Sequence, residues 1–218
     1  MTAVVTCGTG VTLIGGGAVT AQDLAQALAL APVVMAADSG ADRALADGLM
    51  PRAVVGDLDS LSPEGRTAIP PDRLHRIAEQ ETTDFEKCLA RIDAPFVVGV
   101  GFTGPRADHL LACLTTLVRL RHPPCLLLGG EDALFAAPAR LALDLPPGTR
   151  LSLYPLGPVT GTSRGLRWPI DGLVLDPAAR TGTSNCTTGA VELTLDGPCL
   201  AILPRAHAAA AVRALAGP

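Results

Sequence analysis

Two carboxylates that stand two residues apart, Asp57 and Asp59, are the residues whose type and spacing most directly suggest chemistry. They follow a short apolar run at 53–56 that is typical of a buried strand. In extended backbone the side chains of residues i and i+2 point to the same face, so both carboxylates would face one volume. Like charges this close repel unless a cation lies between them or one is protonated, and oxygen ligands suit Mg²⁺ together with substrate phosphates. The dyad therefore indicates either a magnesium–nucleotide site or a solvated turn after a strand.

A glycine pattern with the spelling of a dinucleotide-binding fingerprint occurs at Gly99, Gly101 and Gly104. It follows a predicted strand and precedes a predicted helix, as that motif requires. The acidic residue expected about 20 positions further on is missing, because residues 121–124 read Arg-His-Pro-Pro. A phosphate-binding loop is therefore favoured over NAD binding. The chain also lacks the Gly-x-x-x-x-Gly-Lys-Ser/Thr motif of a P-loop kinase.

Charged residues stand in the predicted first turns of two helices. Arg106, Asp108 and His109 follow the glycine pattern, and Asp84 follows Thr83 in a capping-box pattern. The helix dipole alone favours an aspartate there, so capping is one explanation for Asp84 and Asp108. Arg106 is less expected, because a cation is unfavourable at a helix N-terminus unless an anionic ligand lies nearby. His109 taken alone is more often a structural histidine than a catalytic one.

Two further features lie in the second half of the chain. The polar stretch at 181–186 reads Thr-Gly-Thr-Ser-Asn-Cys, and its composition favours an ordinary hairpin loop. Trp168 is the single tryptophan, and a place in the core is favoured over a stacking platform for a flat ring. Neither feature predicts a function by itself.

Strand and helix patterns alternate through the first half of the chain. The strands, such as those at 11–14 and 33–37, are apolar throughout rather than at every second residue, which predicts a mainly parallel sheet flanked by helices. Thr20 and Asp23 form a capping box that opens the first helix. Glycines and carboxylates collect where strands pass into helices, which is the ligand-binding edge of such sheets and favours an anion such as a polyphosphate. These positions are 15–17, 38–40, 56–59 and 101–104.

Short runs separated by turn signals replace this pattern after His122-Pro123-Pro124. They include 126–128, 173–175 and 191–195, and the last of these alternates between apolar and polar residues. Short strands at this spacing predict an antiparallel sandwich. The predicted fold class is therefore an α/β N-terminal domain with a mainly parallel sheet, residues 1–124, followed by a C-terminal all-β sandwich domain, residues 125–218. An Ala-rich helix is expected near its end.

Composition excludes several classes of partner. The chain has 218 residues and a net charge of −4 without a basic run, which indicates neither a nucleic acid nor an anionic membrane as partner. The sequence has no apolar run near the ~18–20 residues of a membrane span and no signal-peptide pattern. Its six cysteines are scattered without a Cys-x-x-Cys pair, which favours thiols over a disulfide framework or a zinc site. We therefore expect a cytoplasmic location.

Taken in order, these stretches resemble the thiamine pyrophosphokinase family over roughly residues 38–185. Six short motifs carry the resemblance, and each is weak alone but specific in this order across an α/β half and a β half. They are Ala-Asp-Ser-Gly-Ala-Asp-Arg at 37–43, Gly-Asp-Leu-Asp-Ser at 56–60, Gln80 with Thr-Asp-Phe-Glu-Lys-Cys-Leu at 83–89, the glycine loop and helix start at 101–109, Gly-Leu-Arg-Trp at 165–168, and Thr-Ser-Asn at 183–185.

The resemblance implies a Mg²⁺-dependent enzyme, a thiamine diphosphokinase, that transfers the pyrophosphoryl group of ATP to the hydroxyl of thiamine and releases AMP. It also implies a homodimer in which the catalytic cleft lies between the α/β domain of one subunit and the β domain of the other. Three alternatives stay open: an NAD-linked oxidoreductase that uses residues 99–104, a non-catalytic ligand-binding module, and a pyrophosphokinase with another acceptor.

Carried over residue by residue, the family's site falls into three groups. The metal and the phosphates would be held by Asp57, Asp59 and Asp84, with Arg106 completing the catalytic set and Asp59 or Asp84 orienting or deprotonating the hydroxyl. ATP would be bound by Asp38, Ser39, Gly40, Arg43, Gln80, Gly101, Gly104, Asp108 and His109. Thiamine would be bound by Trp168, Ser184 and Asn185.

The sequence departs from the family pattern in the phosphate loop and after the Ser-Asn pair. The family usually has glycine where Ser39 and Pro105 stand. Pro105 removes one N–H from the loop and fixes its φ. Some relatives carry an aromatic residue soon after the Ser-Asn pair, where this chain has Cys-Thr-Thr at 186–188.

Overall fold

The computed structural model describes residues 2–217, and the chain divides into two compact units. The first unit ends at Gly129 and the second begins at Gly130.

The first unit is built on a sheet of short, apolar, parallel strands. Strand β2 lies between β3 and β7, and the order across the sheet is β8-β7-β2-β3-β4-β5, with every pairing parallel. A separate parallel pair joins β1 to β6. Because chain order reverses on either side of β2, the carboxyl ends of its neighbours open a crevice of the kind that binds ligands. The strands are β1 (Val5–Thr6), β2 (Val11–Ile14), β3 (Val33–Ala37), β4 (Ala53–Gly56), β5 (Leu74–Arg76), β6 (Ile92–Asp93), β7 (Val97–Val100) and β8 (Cys125–Gly129).

Five helices connect these strands, and their starts follow local sequence signals. Thr20 and Asp23 form the predicted capping box at the start of α1. Thr83 caps α4 through a hydrogen bond from the Glu86 N–H, and Ser62 caps α3 through one from the Gly65 N–H. The helices are α1 (Ala21–Leu30), α2 (Gly40–Ala46), α3 (Pro63–Ala68), α4 (Asp84–Leu89) and α5 (Ala107–Arg119).

Strand β8 marks a difference from the predicted domain boundary at 124/125. Its residues pair in parallel with β7, from Cys125 opposite Val97 to Leu128 opposite Val100. Its side chains from Cys125 to Leu128 are all buried, as are those of β2, β4 and β7. The proline break at 122–124 therefore ends a helix and does not end the α/β unit.

The second unit consists of antiparallel strands and one terminal helix. The 15-residue strand β13 pairs with β11 through its first residues and with β10 and β12 through its later ones. Strand β14 joins β11 to β9. The elements are β9 (Asp132–Ala136), β10 (Arg140–Leu143), β11 (Arg150–Pro155), β12 (Thr160–Leu166), β13 (Gly182–Asp196), β14 (Cys199–Pro204) and α6 (Ala208–Ala216).

Two sequence predictions for this unit are wrong. The stretch at 181–186 is not a hairpin loop, because Gly182 to Cys186 begin β13 and pair with β11. The run at 173–175 is not a strand, since only Leu175 makes a bridge, to Val159. The polar, small residues of β12 gave no apolar signal, because that strand alternates between exposed and half-buried positions.

Within residues 2–217, none of the helices has both the length and the apolar character that a membrane crossing requires.

Gly40, the first residue of α2, provides a test of how tightly the helix packs on the sheet. A Cβ at Gly40 would overlap the carbonyl oxygen of Ile14, which is backbone and cannot rotate away. We expect Gly40→Ala to lower the free energy of unfolding by about 1–3 kcal/mol, the usual penalty of overpacking. The measurement is urea unfolding. The control is Gly8→Ala, where a Cβ meets nothing within 4 Å; equal midpoints for both variants would contradict the prediction.

Candidate active site

Three aspartates at the carboxyl ends of neighbouring strands form an acidic cluster in the first unit. Asp38 follows β3, and Asp57 and Asp59 follow β4. One carboxylate oxygen from each of the three lies within 4.8 Å of the others. Hard oxygen donors at this spacing are the kind of group that holds a divalent cation. The structure thus brings together the predicted dyad and adds Asp38, which had been predicted on the nucleotide side.

The dyad is held by the residue between its two members. Leu58 is 3% exposed, has a φ of 64°, and packs in a core cluster with Leu61 and Ile69. The backbone here is therefore a tight turn and not the extended segment that the spacing predicted. The two carboxylates nevertheless share a site, because the Leu58 side chain is buried in the core and holds the turn in place. Arg66 donates a hydrogen bond to the Leu58 carbonyl, which supports the turn further.

Asp38 occupies the most constrained position in the cluster. Its φ is 46° and it is 5% exposed, and within residues 2–217 its Oδ1 has no hydrogen-bond partner. Its Oδ2 accepts a long hydrogen bond of 3.4 Å from the Ser60 N–H. Burial, and next the repulsion from Asp84, raise the pKa of the Asp38 carboxyl above its usual value. A buried carboxylate oxygen without a partner is unstable by itself and is the atom that a bound cation would satisfy.

Asp57 has the opposite electrostatic environment. The Gln80 side-chain N–H donates a hydrogen bond of 3.0 Å to Asp57 Oδ2, and this bond lowers the pKa of the carboxyl. The Asp59 N–H donates to Asp57 Oδ1 over 3.3 Å. Gln80 had been predicted to contact the nucleotide, and the structure places its amide against Asp57. Asp57 is therefore more readily ionised than Asp38, because the pKa of the one carboxyl is lowered and that of the other is raised.

Asp84 lies outside the group of three, although it had been predicted as the third metal ligand. Its Oδ1 accepts from the Lys87 ammonium over 3.3 Å, one turn further along α4. Its charge still acts on Asp38, as the raised pKa of that residue shows. Lys87, for which no role was predicted, has a side chain that is only 3% exposed. One signal was present, because Lys87 is the only lysine in the chain.

A cavity of about 680 Å³ opens beside the cluster, which is within the usual range for small-molecule sites. The predicted residues that line it are Asp38, Ser39, Asp57, Gln80, Asp84, Gly101, Gly104, Arg106 and His109. Lining residues that the sequence reasoning did not assign include Gly16, Gly17, Ser60, Thr82, Lys87 and Phe102.

Two glycine loops form one wall of this cavity and are joined to each other. The Gly17 N–H donates to the Gly101 carbonyl over 3.0 Å, and a Cβ at Gly17 would lie 2.5 Å from that oxygen. Gly101 itself has a φ of 80°, which favours glycine. Gly99, the first glycine of the fingerprint, does not line the cavity, and a Cβ there would meet Leu127 and Phe102. Its role in close packing weakens the NAD interpretation.

The helix start after these loops is exposed. Arg106 is the N-cap residue of α5 and pairs with Asp108 at 2.7 Å, which lowers the pKa of the Asp108 carboxyl. The two side chains are 67% and 66% exposed. Arg106 and His109 line the cavity, whereas Asp108 does not. Asp108 is thus paired with a residue that lines the cavity and does not line it itself.

Two residues predicted to bind ATP are engaged in packing and hydrogen bonding of α2. Gly40 is buried against the Ile14 carbonyl. Arg43 donates to the Val19 carbonyl and forms an ion pair with Asp47. Neither lines the cavity.

In the second unit, Asn185 and Trp168 form a fixed pair. The Asn185 side chain accepts from the Trp168 N–H at 3.2 Å and donates to the Trp168 carbonyl at 2.7 Å. Asn185 is 7% exposed, whereas Trp168 is 54% exposed with the Arg167 guanidinium 5.0 Å from its ring centre. The expectation that Trp168 belongs to the core is wrong. Ser184, with a φ of 60°, is exposed beside this pair.

Replacing Asp38 tests whether its ionised carboxylate lowers the stability of the folded protein. At pH 7 the ionised Asp38 opposes folding, because its pKa is raised, so we expect Asp38→Asn to raise the melting temperature in metal-free buffer. A relief of about 1 kcal/mol would raise it by about 2–4 °C. The gain should shrink as the pH falls through the raised pKa, since the wild-type carboxyl then becomes neutral.

The same pair of proteins tests metal binding by thermal melting. Added Mg²⁺ should raise the melting temperature of the wild type more than that of Asp38→Asn, since a ligand stabilises the state that binds it. A less stable Asp38→Asn protein in metal-free buffer at pH 7 would contradict this reading of the cluster.

Replacing Asn185 tests whether its two hydrogen bonds to the Trp168 backbone fix the tryptophan. We expect Asn185→Ala to destabilise the chain by about 1–3 kcal/mol, because the Trp168 N–H and carbonyl lose their partners. Trp168 is the only tryptophan, so acrylamide quenching of fluorescence reports on it alone, and we expect quenching to change. The control is Ser184→Ala, which should leave the stability and the quenching unaltered. An unchanged Asn185→Ala protein would refute the pairing.

The family model described as thiamin pyrophosphokinase, catalytic domain, matches residues 24–127. A search of curated protein sequences gave no match.

Several solved structures share the fold. Thiamin pyrophosphokinase from Candida albicans superimposes with a TM-score of 0.77 at 14% identity, covering 92% of each chain. The enzyme from Geobacillus thermodenitrificans gives a TM-score of 0.74 at 21% identity, covering 89% of this chain and 96% of that one. The enzyme from Bacillus subtilis gives 0.73 at 19% identity, covering 89% and 98%.

The predicted family, and with it the prediction of an enzyme of the thiamine diphosphokinase type, is confirmed by these matches. The matched segment contains the acidic cluster, both α4 and α5, and the second glycine loop. The segment that the thiamin pyrophosphokinase catalytic-domain model matches is just under half of the chain.

Proposed function

We propose that this protein transfers the pyrophosphoryl group of ATP to the hydroxyl of thiamine in a Mg²⁺-dependent reaction, giving thiamine diphosphate and AMP. One observation supports the proposal above the others. The unpartnered, buried Oδ1 of Asp38 lies in a cluster with Asp57 and Asp59, beside a cavity lined by glycine loops. This is an arrangement suited to a cation that carries a polyphosphate.

The donor set fits Mg²⁺. It offers carboxylate oxygens only, with two carboxylates that are at least partly accessible and one buried oxygen without a partner. Asp38, Asp57 and Asp59 would hold the ion, and Asp84 would contribute to a phosphate-bound metal as the sequence predicted. When bound, the ion supplies charge neutralisation of the phosphates.

The chain's own residues would bind the triphosphate and exclude water. Gly16, Gly101 and Gly104 of the glycine loops line the cavity, and so do Ser39 and His109. Arg106 carries a guanidinium that is free to exchange its exposed partner Asp108 for a phosphate oxygen. Such transfers depend mainly on positioning and charge stabilisation, which these groups supply.

In the transfer itself, the thiamine hydroxyl oxygen forms a bond to the β-phosphorus of ATP. The bond between that phosphorus and the oxygen bridging to the α-phosphate breaks, and AMP departs. The hydroxyl proton passes to a carboxylate, for which Asp59 and Asp84 are the candidates. Asp57 is unsuited to the role, because the hydrogen bond from Gln80 lowers its pKa.

We propose that thiamine is recognised by the second unit through Ser184 and the exposed ring of Trp168. Trp168 presents a flat face that is already supported by Arg167. Asn185, whose amide bonds to the Trp168 backbone, would act by fixing that ring. The homodimer with a shared site and the cytoplasmic location remain predictions that the resemblance and the sequence suggest. A pyrophosphokinase with another acceptor would be recognised by AMP release that depends on that other alcohol and not on thiamine.

The experiment that tests the function is an assay of AMP release with ATP, Mg²⁺ and thiamine. We expect release that depends on thiamine, and a loss of at least about 100-fold in kcat for Asp57→Asn, since that variant removes one charge from the metal cluster. The control is Asp72→Asn, which removes an exposed carboxylate in a short 3₁₀ turn and should retain full activity.

Near-normal turnover of Asp57→Asn would remove the metal-cluster proposal. Absence of AMP release with thiamine from wild-type protein, or thiamine-independent release, would remove the proposed reaction. Far-UV circular dichroism of each variant establishes that the comparison is made between folded proteins.

A further inference from the structure

We propose that the Lys87 ammonium group contacts a phosphate oxygen of the phosphoanhydride chain bound in the cavity. The inference rests on the proposed function, because it assigns a ligand contact in the same site. Lys87 is the only lysine among the 17 Lys and Arg residues, and it lines the cavity although its side chain is only 3% exposed.

Burial of this ammonium group is not balanced by its protein partner alone. Moving an ammonium group out of water is unfavourable unless it is closely paired. Its bond to Asp84 Oδ1 measures 3.3 Å, whereas close charge-assisted pairs measure about 2.7–2.9 Å. The ammonium has three N–H donors, and within residues 2–217 the bond to Asp84 uses one of them. Further donors are therefore available at the cavity wall.

The choice of lysine also fits a phosphate contact. Elsewhere the chain uses arginine for its ion pairs, as in Arg43 with Asp47 and Arg150 with Asp132. A guanidinium is wide and planar, whereas an ammonium is a compact point charge that fits a narrow position between carboxylates and phosphates. A structural salt bridge alone gives no reason for this exception.

The positive charge of Lys87 should have opposite effects on the binding of the metal ion and of the polyphosphate. Its positive charge lies among carboxylates, where it opposes the binding of Mg²⁺ and assists the binding of a polyphosphate. Arg106, the other cation that lines the cavity, is paired with Asp108 at 2.7 Å. Removal of the Lys87 charge should therefore change the affinities for metal and for nucleotide in opposite directions.

The test compares Lys87→Met, which keeps the length of the side chain and removes its charge, with wild type. The matched control is Arg164→Met, which removes an 86% exposed positive charge in the second unit. Isothermal titration calorimetry measures the binding of Mg²⁺ alone and of adenylyl imidodiphosphate with Mg²⁺. We expect Lys87→Met to bind the analogue about tenfold more weakly and Mg²⁺ alone no more weakly than wild type. The control should match wild type in both titrations.

Two results would overturn the inference while leaving the proposed function intact. One is an unchanged affinity of Lys87→Met for the analogue. The other is a weakening of both affinities together with a lower melting temperature, which would make Lys87 a structural residue. Failure of the wild-type protein to bind the analogue at all would instead remove the proposed function, and this inference with it.

A second measurement uses the wild-type protein and does not depend on a variant that folds. Selective ¹³C labelling of lysine gives the side-chain signals of Lys87 alone, since the chain has no other lysine. We expect the Cε–Hε signal to shift on addition of adenylyl imidodiphosphate with Mg²⁺, of thiamine diphosphate, or of both, which identifies the source of the phosphate. No shift with either compound would contradict the contact.

Discussion

The mutual repulsion of three carboxylates is the main constraint on the candidate site of the first unit. One carboxylate oxygen from each of Asp38, Asp57 and Asp59 lies within 4.8 Å of the others, a separation at which like charges oppose folding. Within residues 2–217, Asp38 has a buried oxygen without a hydrogen-bond partner, and both Asp38 and Leu58 have left-handed backbone. Non-glycine residues with such backbone persist only where the surrounding structure holds them, and they cluster at functional sites.

The parallel sheet supplies that support. Strands β3 and β4 are buried along their length and end at the cluster, so each carboxylate follows a rigid segment. On the other side of β2, the loop after β7 is joined to the first glycine loop by backbone hydrogen bonds. The acids and the glycine loops therefore belong to one edge of one sheet, as expected for ligand sites in open α/β folds.

Much of this fold could be predicted from the sequence, because the relevant signals are local. Buried strands read as continuous apolar runs, and the capping box at Thr20 marks a helix start by itself. The turn at Leu58 could not be predicted, since its left-handed backbone depends on a core formed with residues distant in sequence. The polar strand at 182–186 was missed for the same reason, because its pairing with β11 leaves no mark in its own residues.

For the site residues, the sequence indicated which residue types matter but not which contacts they make. Residue type located the acids, but only the fold shows that Asp38 joins the dyad, that Gln80 bonds to Asp57, and that Asn185 bonds to the Trp168 backbone. Lys87 was given no function from the sequence, because a single lysine in a helix resembles any surface cation until its burial is known.

Leu58, which lies between Asp57 and Asp59, affects how the candidate site responds to heat and to denaturants. Leu58 packs with Leu61 and Ile69 in a cluster that also contains Ala36 of β3 and Val54 of β4, so loosening of that cluster would release the geometry of the proposed cation site. Local opening of such a cluster requires less free energy than global unfolding. Cation affinity at the proposed site would thus depend partly on apolar contacts beneath the turn, and we expect it to weaken during warming before the molecule unfolds.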